Sequence, residues 1–167
     1  QYEDRIYNIC LRYTRDDAEA FDVTQEVFVK LLKKIGKFRG ESAFSTWLTR
    51  MAINACHDHN RFWRRRGLFN SVSLDEKLER LGESGIRPDK ALEQKEIQEF
   101  VGKAVNALPL KYRDVVVLSD IDGRPYREIA EITGANEGTV KSRLSRARAM
   151  LKEKIEALAE NEEKNGL

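Results

Sequence analysis

The stretch from Tyr126 to Leu144 constrains the fold more than any other part of the chain. Ala130 is small where two crossing helices must approach, Gly134 can take the left-handed turn conformation, and Asn136 can cap a following helix. Val140, Leu144, Ala147 and Leu151 then recur at i, i+4, i+7 and i+11, which gives the second helix a core-facing stripe. The pattern predicts a helix-turn-helix. At 100° per residue Ser142 and Ser145 project away from the stripe with Lys141 and Arg146 beside them, while Arg143 and Arg148 flank it. Such a motif lays the start of its second helix in the DNA major groove. Lys141, Ser142, Ser145 and Arg146 are therefore the expected base readers, and Arg143 and Arg148 the expected phosphate clamps. A helical hairpin with a basic solvent face is the plainer reading, but cap, turn and stripe agree on the sharper one.

Upstream, Pro109 is placed to start a helix containing Tyr112, Val115, Val116 and Leu118, ended by Asp122-Gly123. Val115 to Leu118 could be a strand on propensity alone, against the surrounding helical period. A length of 167 residues allows one medium domain or two small ones, and the charge layout favours two. Arg61, Arg64, Arg65 and Arg66 form a basic cluster, and Arg124 to Lys154 holds eight basic and four acidic residues, a local +4. Between them, Asn70 to Glu99 holds five basic and eight acidic residues, a local −3. Two basic segments around an acidic one suggest two nucleic-acid contacts joined by a segment that avoids the duplex. Gly67, Gly82, Gly85 and Pro88 punctuate the middle, read as a flexible linker with a weak Leu74, Leu78, Leu81 pattern. The expected architecture is all-α: a first helical domain over 1–66, a linker over 67–94, and a helix-turn-helix domain over 95–167.

In the first domain Ala20, Val23, Val27 and Leu31, with Phe28, Leu32 and Ile35 beside them, predict one amphipathic helix from Asp16 to Ile35. Asp22, Gln25, Glu26 and Lys33 fall on its other face with Val29 among them, which suggests a partner surface; a lone exposed valine is the ordinary alternative. After Gly36, Lys37 to Ser42 reads as a loop, with Ser42 able to cap the next helix. Phe44, Trp47, Leu48, Met51, Ala52 and Ala55 then form an apolar stripe. Opposite lie Arg50, Asn54, His57, Arg61 and Arg64, a basic and amide-bearing stripe ending near Phe62 and Trp63. Arginine neutralises phosphate and aromatic rings stack on unpaired bases, so this face reads as a nucleic-acid surface.

The runs Asp22-Val23-Thr24-Gln25-Glu26-Val27-Phe28, Phe38 to Leu48, and Ala52-Ile53-Asn54 resemble the first conserved domain of the extracytoplasmic-function sigma factors. The match spans nearly all of Tyr2 to Arg66; Phe21 stands where that family commonly has an acidic residue. Leu108-Pro109 through Arg113, Gly138 to Leu144, and Arg146-Ala147-Arg148 resemble the family's second domain, in the family's order. The resemblance implies that Asp22, Gln25, Glu26 and Val29 dock on the clamp helices of the largest polymerase subunit, β′, with the β flap a further contact. It implies that Phe38, Arg39, Ser42, Phe44 and the Asn54 stripe capture the melted minus-ten element, and that Thr139 joins the helix-turn-helix residues on the minus-thirty-five element. An anti-sigma factor is the further partner it implies.

Cys10 and Cys56 are too few for a disulfide framework and lack metal-ligand spacing, which favours a reduced, cytoplasmic setting. His57 and His59 would point about 200° apart on a helix, which counts against a metal site with Cys56. No apolar run approaches a membrane span, and Gln1 to Cys10 has no signal-peptide pattern. Paired carboxylates with metal spacing, a phosphate-binding glycine loop and a nucleophile with a base are all missing from the sequence, so no enzyme and no cofactor are expected. A helix-turn-helix regulator with an N-terminal sensing domain is the main rival, but it has no use for the Arg and aromatic stripe. An RNA-binding module is a second.

Overall fold

The computed structural model describes residues 2–14, 16–66, 101–102 and 104–165, with side chains to Glu156 except at residue 154. The linker expected at 67–94 and the domain start at 95 lie outside the described residues. Among those described, every regular element is a helix, including Val115 to Leu118, where a strand was the alternative.

Helix α1 (Glu3–Leu11) turns Ile6, Ile9 and Cys10 inward, and Tyr13 follows them into the core. Asp16 is extended, and its carboxylate accepts the Glu19 N–H at 2.8 Å, starting α2 (Asp17–Lys34). Such a cap stabilises a helix by about 1 kcal/mol, and acidic residues in the first turn with lysines in the last suit the helix dipole. Ala20, Val23, Val27 and Leu31 are buried as their spacing predicts. Leu32 and Ile35 are not: both are exposed, Leu32 by 75%. A short 3-10 turn (Ile35–Lys37) and a loop with Gly40 at φ +71° lead to α3 (Phe44–Arg65). Its N-cap is Ala43, which makes no side-chain capping bond, so the expected cap at Ser42 is corrected by one position. Helices α1, α2 and α3 pack on one another as the first domain.

In the second domain Pro109 precedes α4 (Leu110–Val116), as its lack of an N–H and its fixed φ favour. The helix widens into a π turn over Val117–Ile121, closed by the Asp122 N–H on the Val117 carbonyl at 2.8 Å. Helix α5 (Tyr126–Thr133) ends at Gly134, whose φ of +67° is the left-handed conformation predicted for it. Asn136 Oδ1 then accepts the Thr139 N–H at 2.7 Å and starts α6 (Glu137–Asn165). Val140, Leu144 and Ala147 are buried with Ile129 and Ile132 of α5, which fixes the helix-turn-helix angle.

The two domains meet where α3 packs against α5. Helix α3 is therefore buried on more than its apolar stripe: Thr46, Thr49 and Ile53, on its opposite side, are also covered, while Asn60 further along is held by the Tyr13 carbonyl of its own domain.

Candidate nucleic-acid and partner interfaces

The turn that follows α2 presents Phe38 to the first two turns of α3. Phe38 lies 5.1 Å from Trp47 and 5.7 Å from Phe44 between ring centroids, and Tyr2 closes on Phe44 at 5.4 Å. Beside this cluster is a cleft of about 380 Å³ lined by Lys37, Phe38, Arg39, Glu41, Ser42, Trp47, Arg50 and Glu131. Flat rings edged by guanidinium groups suit an unstacked base with its phosphate. The structure thus brings together Phe38, Arg39, Ser42, Phe44 and Arg50. Asn54 and Arg61 lie further along α3, both exposed, and Arg64 is exposed beyond them. Near the helix end Phe62 packs edge-on to Trp63 at 5.7 Å and the Arg66 guanidinium sits 4.1 Å over the Phe62 ring.

Two of the predicted nucleic-acid residues are engaged by the second domain. The Arg50 guanidinium donates to the Glu131 carbonyl, and His57 Nε2 is 2.9 Å from Asp114 Oδ1. Sequence reasoning missed Glu131 and assigned Trp47 to the core alone. An aromatic at the edge of an apolar stripe, next to a loop aromatic, was the available signal for Trp47; for Glu131 there was none, because its position depends on how the domains meet.

On α2 the residues expected to meet a partner share one exposed face. Asp22, Gln25, Glu26 and Val29 are all exposed, Val29 by 48%, and Glu26 pairs with Lys30 at 2.7 Å. Phe21, 54% exposed, and Leu32 project beside them, so the face is more apolar than the sequence reading had it.

On α6 Lys141, Ser142, Ser145 and Arg146 are exposed, while Thr139 and Arg143 are half-buried at its edge. The Ser142 hydroxyl donates to the Thr139 carbonyl at 3.0 Å. Arg146 draws the Tyr112 phenol below its ordinary value, chiefly by hydrogen bonding. Arg148 is exposed as well, and its guanidinium forks onto Asp120 of the π turn at 2.6 and 3.1 Å.

Cys10 and Cys56 are free and buried, with their sulfurs 3.7 Å apart. Among the described residues no three His, Cys, Asp or Glu side chains could hold a metal, and no helix is long and apolar enough to cross a membrane.

A helical pair of domains, one with an aromatic and basic cleft and the other a capped helix-turn-helix, is the architecture of a DNA-binding protein. The chain matches the Sigma-70 region 2 family over residues 1–67 and the Sigma-70, region 4 family over residues 101–151. It is 33% identical over 162 residues to the RNA polymerase sigma-H factor of Pseudomonas aeruginosa, covering 95% of this chain and 84% of that one. To the ECF RNA polymerase sigma-E factor of Escherichia coli it is 31% identical over 163 residues, with 95% and 84% covered. Among solved structures it is similar to the sigma factor RpoE of Bartonella quintana, in complex with the anti-sigma factor NepR, at a TM-score of 0.68 and 25% identity over 92% of this chain and 91% of that one. CnrH, in complex with the cytosolic domain of CnrY, shares the fold at a TM-score of 0.65 and 23% identity, over 91% and 80%. The chain belongs to the extracytoplasmic-function sigma factors of the sigma-70 family. It acts with RNA polymerase on promoter DNA in transcription initiation, which sets aside the regulator with a sensing domain and the RNA-binding module.

Proposed function

We propose that the two domains divide promoter recognition, with residues 1–66 opening the minus-ten element and 95–167 reading the minus-thirty-five element in duplex form. The observation that carries this is the contrast between the two surfaces. The first offers Phe38 and Trp47, backed by the Phe44 ring, on a cleft edged by Arg39 and Arg50, suited to a flipped base. The second offers a single helix face of Lys141, Ser142, Ser145 and Arg146, suited to base edges in a major groove. Asn54, Arg61 and Arg64 extend the first surface along α3, and Thr139, Arg143 and Arg148 flank the second. Asp22, Gln25, Glu26 and Val29 hold the β′ clamp helices, and the β flap takes the second domain. The protein lends specificity to the polymerase and catalyses nothing itself, acting in the cytoplasm where polymerase and promoter meet. An anti-sigma factor is its physiological restraint, a reading supported by the anti-sigma factor NepR bound to the similar sigma factor RpoE.

Run-off transcription with core polymerase and a genomic fragment library tests the division. Productive initiation needs both surfaces, so Phe44→Ala should abolish transcripts from duplex fragments while sparing duplex binding by the second domain. Transcription unchanged by Phe44→Ala rules out the proposed cleft.

A further inference from the structure

We infer that this chain restrains itself: α5 of the second domain sits on the minus-ten face of α3 as an intramolecular stopper, held by a polar latch centred on Arg124. The argument starts from burial. Arg124 is 5% exposed, and a buried guanidinium persists only where its donors are matched. Its Nε meets Asp122 at 2.6 Å and its Nη1 meets Glu128 at 2.6 Å, both within its own domain. The remaining donors cross the seam, to Thr49 Oγ1 at 2.6 Å, the Ser45 carbonyl at 3.3 Å and Thr46 Oγ1 at 3.4 Å. Thr46 in turn donates to Glu128 at 3.3 Å. Asp122 and Glu128 thus fix the guanidinium, and the first two turns of α3 are its receptor.

Two further contacts place the stopper over the candidate site. Glu131 walls the cleft that holds Phe38, Arg39 and Ser42, and its carbonyl occupies Arg50. At the other end Asp114 is nearly buried, taking the Tyr13 hydroxyl at 2.8 Å and His57 at 2.9 Å. Carboxylate and carbonyl oxygens of the second domain therefore stand where the phosphates and bases of a promoter strand would go. The charged contacts crossing this seam are hydrogen bonds and ion pairs, including Arg5 to Asp122 at 2.5 Å. Groups of that kind can exchange their partners for water, so the latch itself opens at little cost, with Ile53 beside it the apolar group that opening exposes. The stopper rests on the minus-ten assignment, but closure itself does not.

A chain whose competent form is a minor fraction binds its partner more weakly by that fraction. The test uses two full-length variants outside the proposed DNA and polymerase contacts: Thr46→Val with Thr49→Val, and Arg124→Gln. Small-angle scattering of the wild type should give a radius of gyration near the value for a compact chain of this length, about 15 Å. Both variants should expand it by several ångström while keeping the helical circular dichroism. They should also bind core polymerase roughly three- to tenfold more tightly. An unchanged radius in the folded threonine variant overturns the latch, whatever Arg124→Gln does to folding. Expansion without any gain in polymerase affinity overturns the restraint, since the seam is then only a resting contact. Expansion and tighter binding in a protein whose Phe44→Ala form still melts promoters would uphold self-restraint and refute only the cleft assignment.

Discussion

Replacing Glu26 and Val29 together by lysine separates a partner surface from a structural one. Fully burying a valine is worth about 1.5–3 kcal/mol, and Val29 keeps 48% of its surface exposed, so docking has about 1 kcal/mol left to gain there. A lysine ammonium forced into the same contact without a partner adds at least a few kcal/mol of desolvation. The sum, about 3–4 kcal/mol, predicts a several-hundred-fold loss of affinity for core polymerase. Folding should hardly notice. The Glu26 to Lys30 pair at 2.7 Å is an exposed i,i+4 contact worth about 0.3–0.5 kcal/mol. Reversing its sign, with Lys33 four residues beyond Val29, keeps the total under about 1 kcal/mol, or about 2–4 °C in Tm for a chain of this size. The assay is competition binding to core polymerase alongside thermal melting. A melting shift well beyond that range, or polymerase binding within a factor of a few of the wild type, refutes the reasoning.

Asn54→Ala should reduce transcription from a duplex promoter far more than from a pre-melted bubble, because extruding a base costs a few kcal/mol that the bubble has already met; equal loss on both templates moves Asn54 out of this role. On α6, Arg146→Ala should cost about 1–3 kcal/mol on the cognate upstream element and relax preference at one base. Arg143→Ala should instead weaken all sequences alike and lower the salt slope by about one unit, both measured by competition over single-base variants at several salt concentrations. Tyr13 is buried against Asp114 and its phenol is held well above its ordinary value of 10.0, first by burial and then by that carboxylate. The neutral phenol favours the folded, closed form, so its contribution is fully present below pH 10 and lost as pH rises through the raised value. Alkaline titration followed at the phenolate absorbance should show one tyrosine ionising late, together with opening or unfolding; in Tyr13→Phe that late step should vanish.

Much of the fold was legible because its helices are amphipathic within their own domains. The stripes of α2, α3 and α6, Gly134 at the turn and Asn136 at the cap all work over a few residues, where 3.6-residue periodicity and cap chemistry act. The candidate surfaces were legible for the same reason, since a residue opposite a core stripe must face something else. Leu32 and Phe21 show the limit. Both are apolar, and their rotation about α2 places them beside the core stripe, yet they are exposed because nothing among the described residues packs over that edge. A surface kept apolar for a partner looks, in one sequence, like the margin of a core.

The seam between the domains marks the other limit. Thr46 and Thr49 lie on the polar side of α3, and a sequence reading counts such positions as solvated. Their burial comes from Arg124, whose position three-quarters of the way along the chain carries no local sign of a partner 75 residues earlier. The same holds for Asp114 with Tyr13 and His57. Polar groups of this type leave no hydrophobic period, so their pairing becomes visible only once both domains are folded and docked. That invisibility has a physical counterpart. An apolar seam would be permanent, and its residues would have announced themselves as core. This seam mixes the two, with Ile53 buried beside Thr46, Thr49 and the Arg124 latch; its polar part is nearly balanced against water, so in the self-restraint proposed above the chain holds this side of α3 covered at rest and releases it when polymerase and promoter bind.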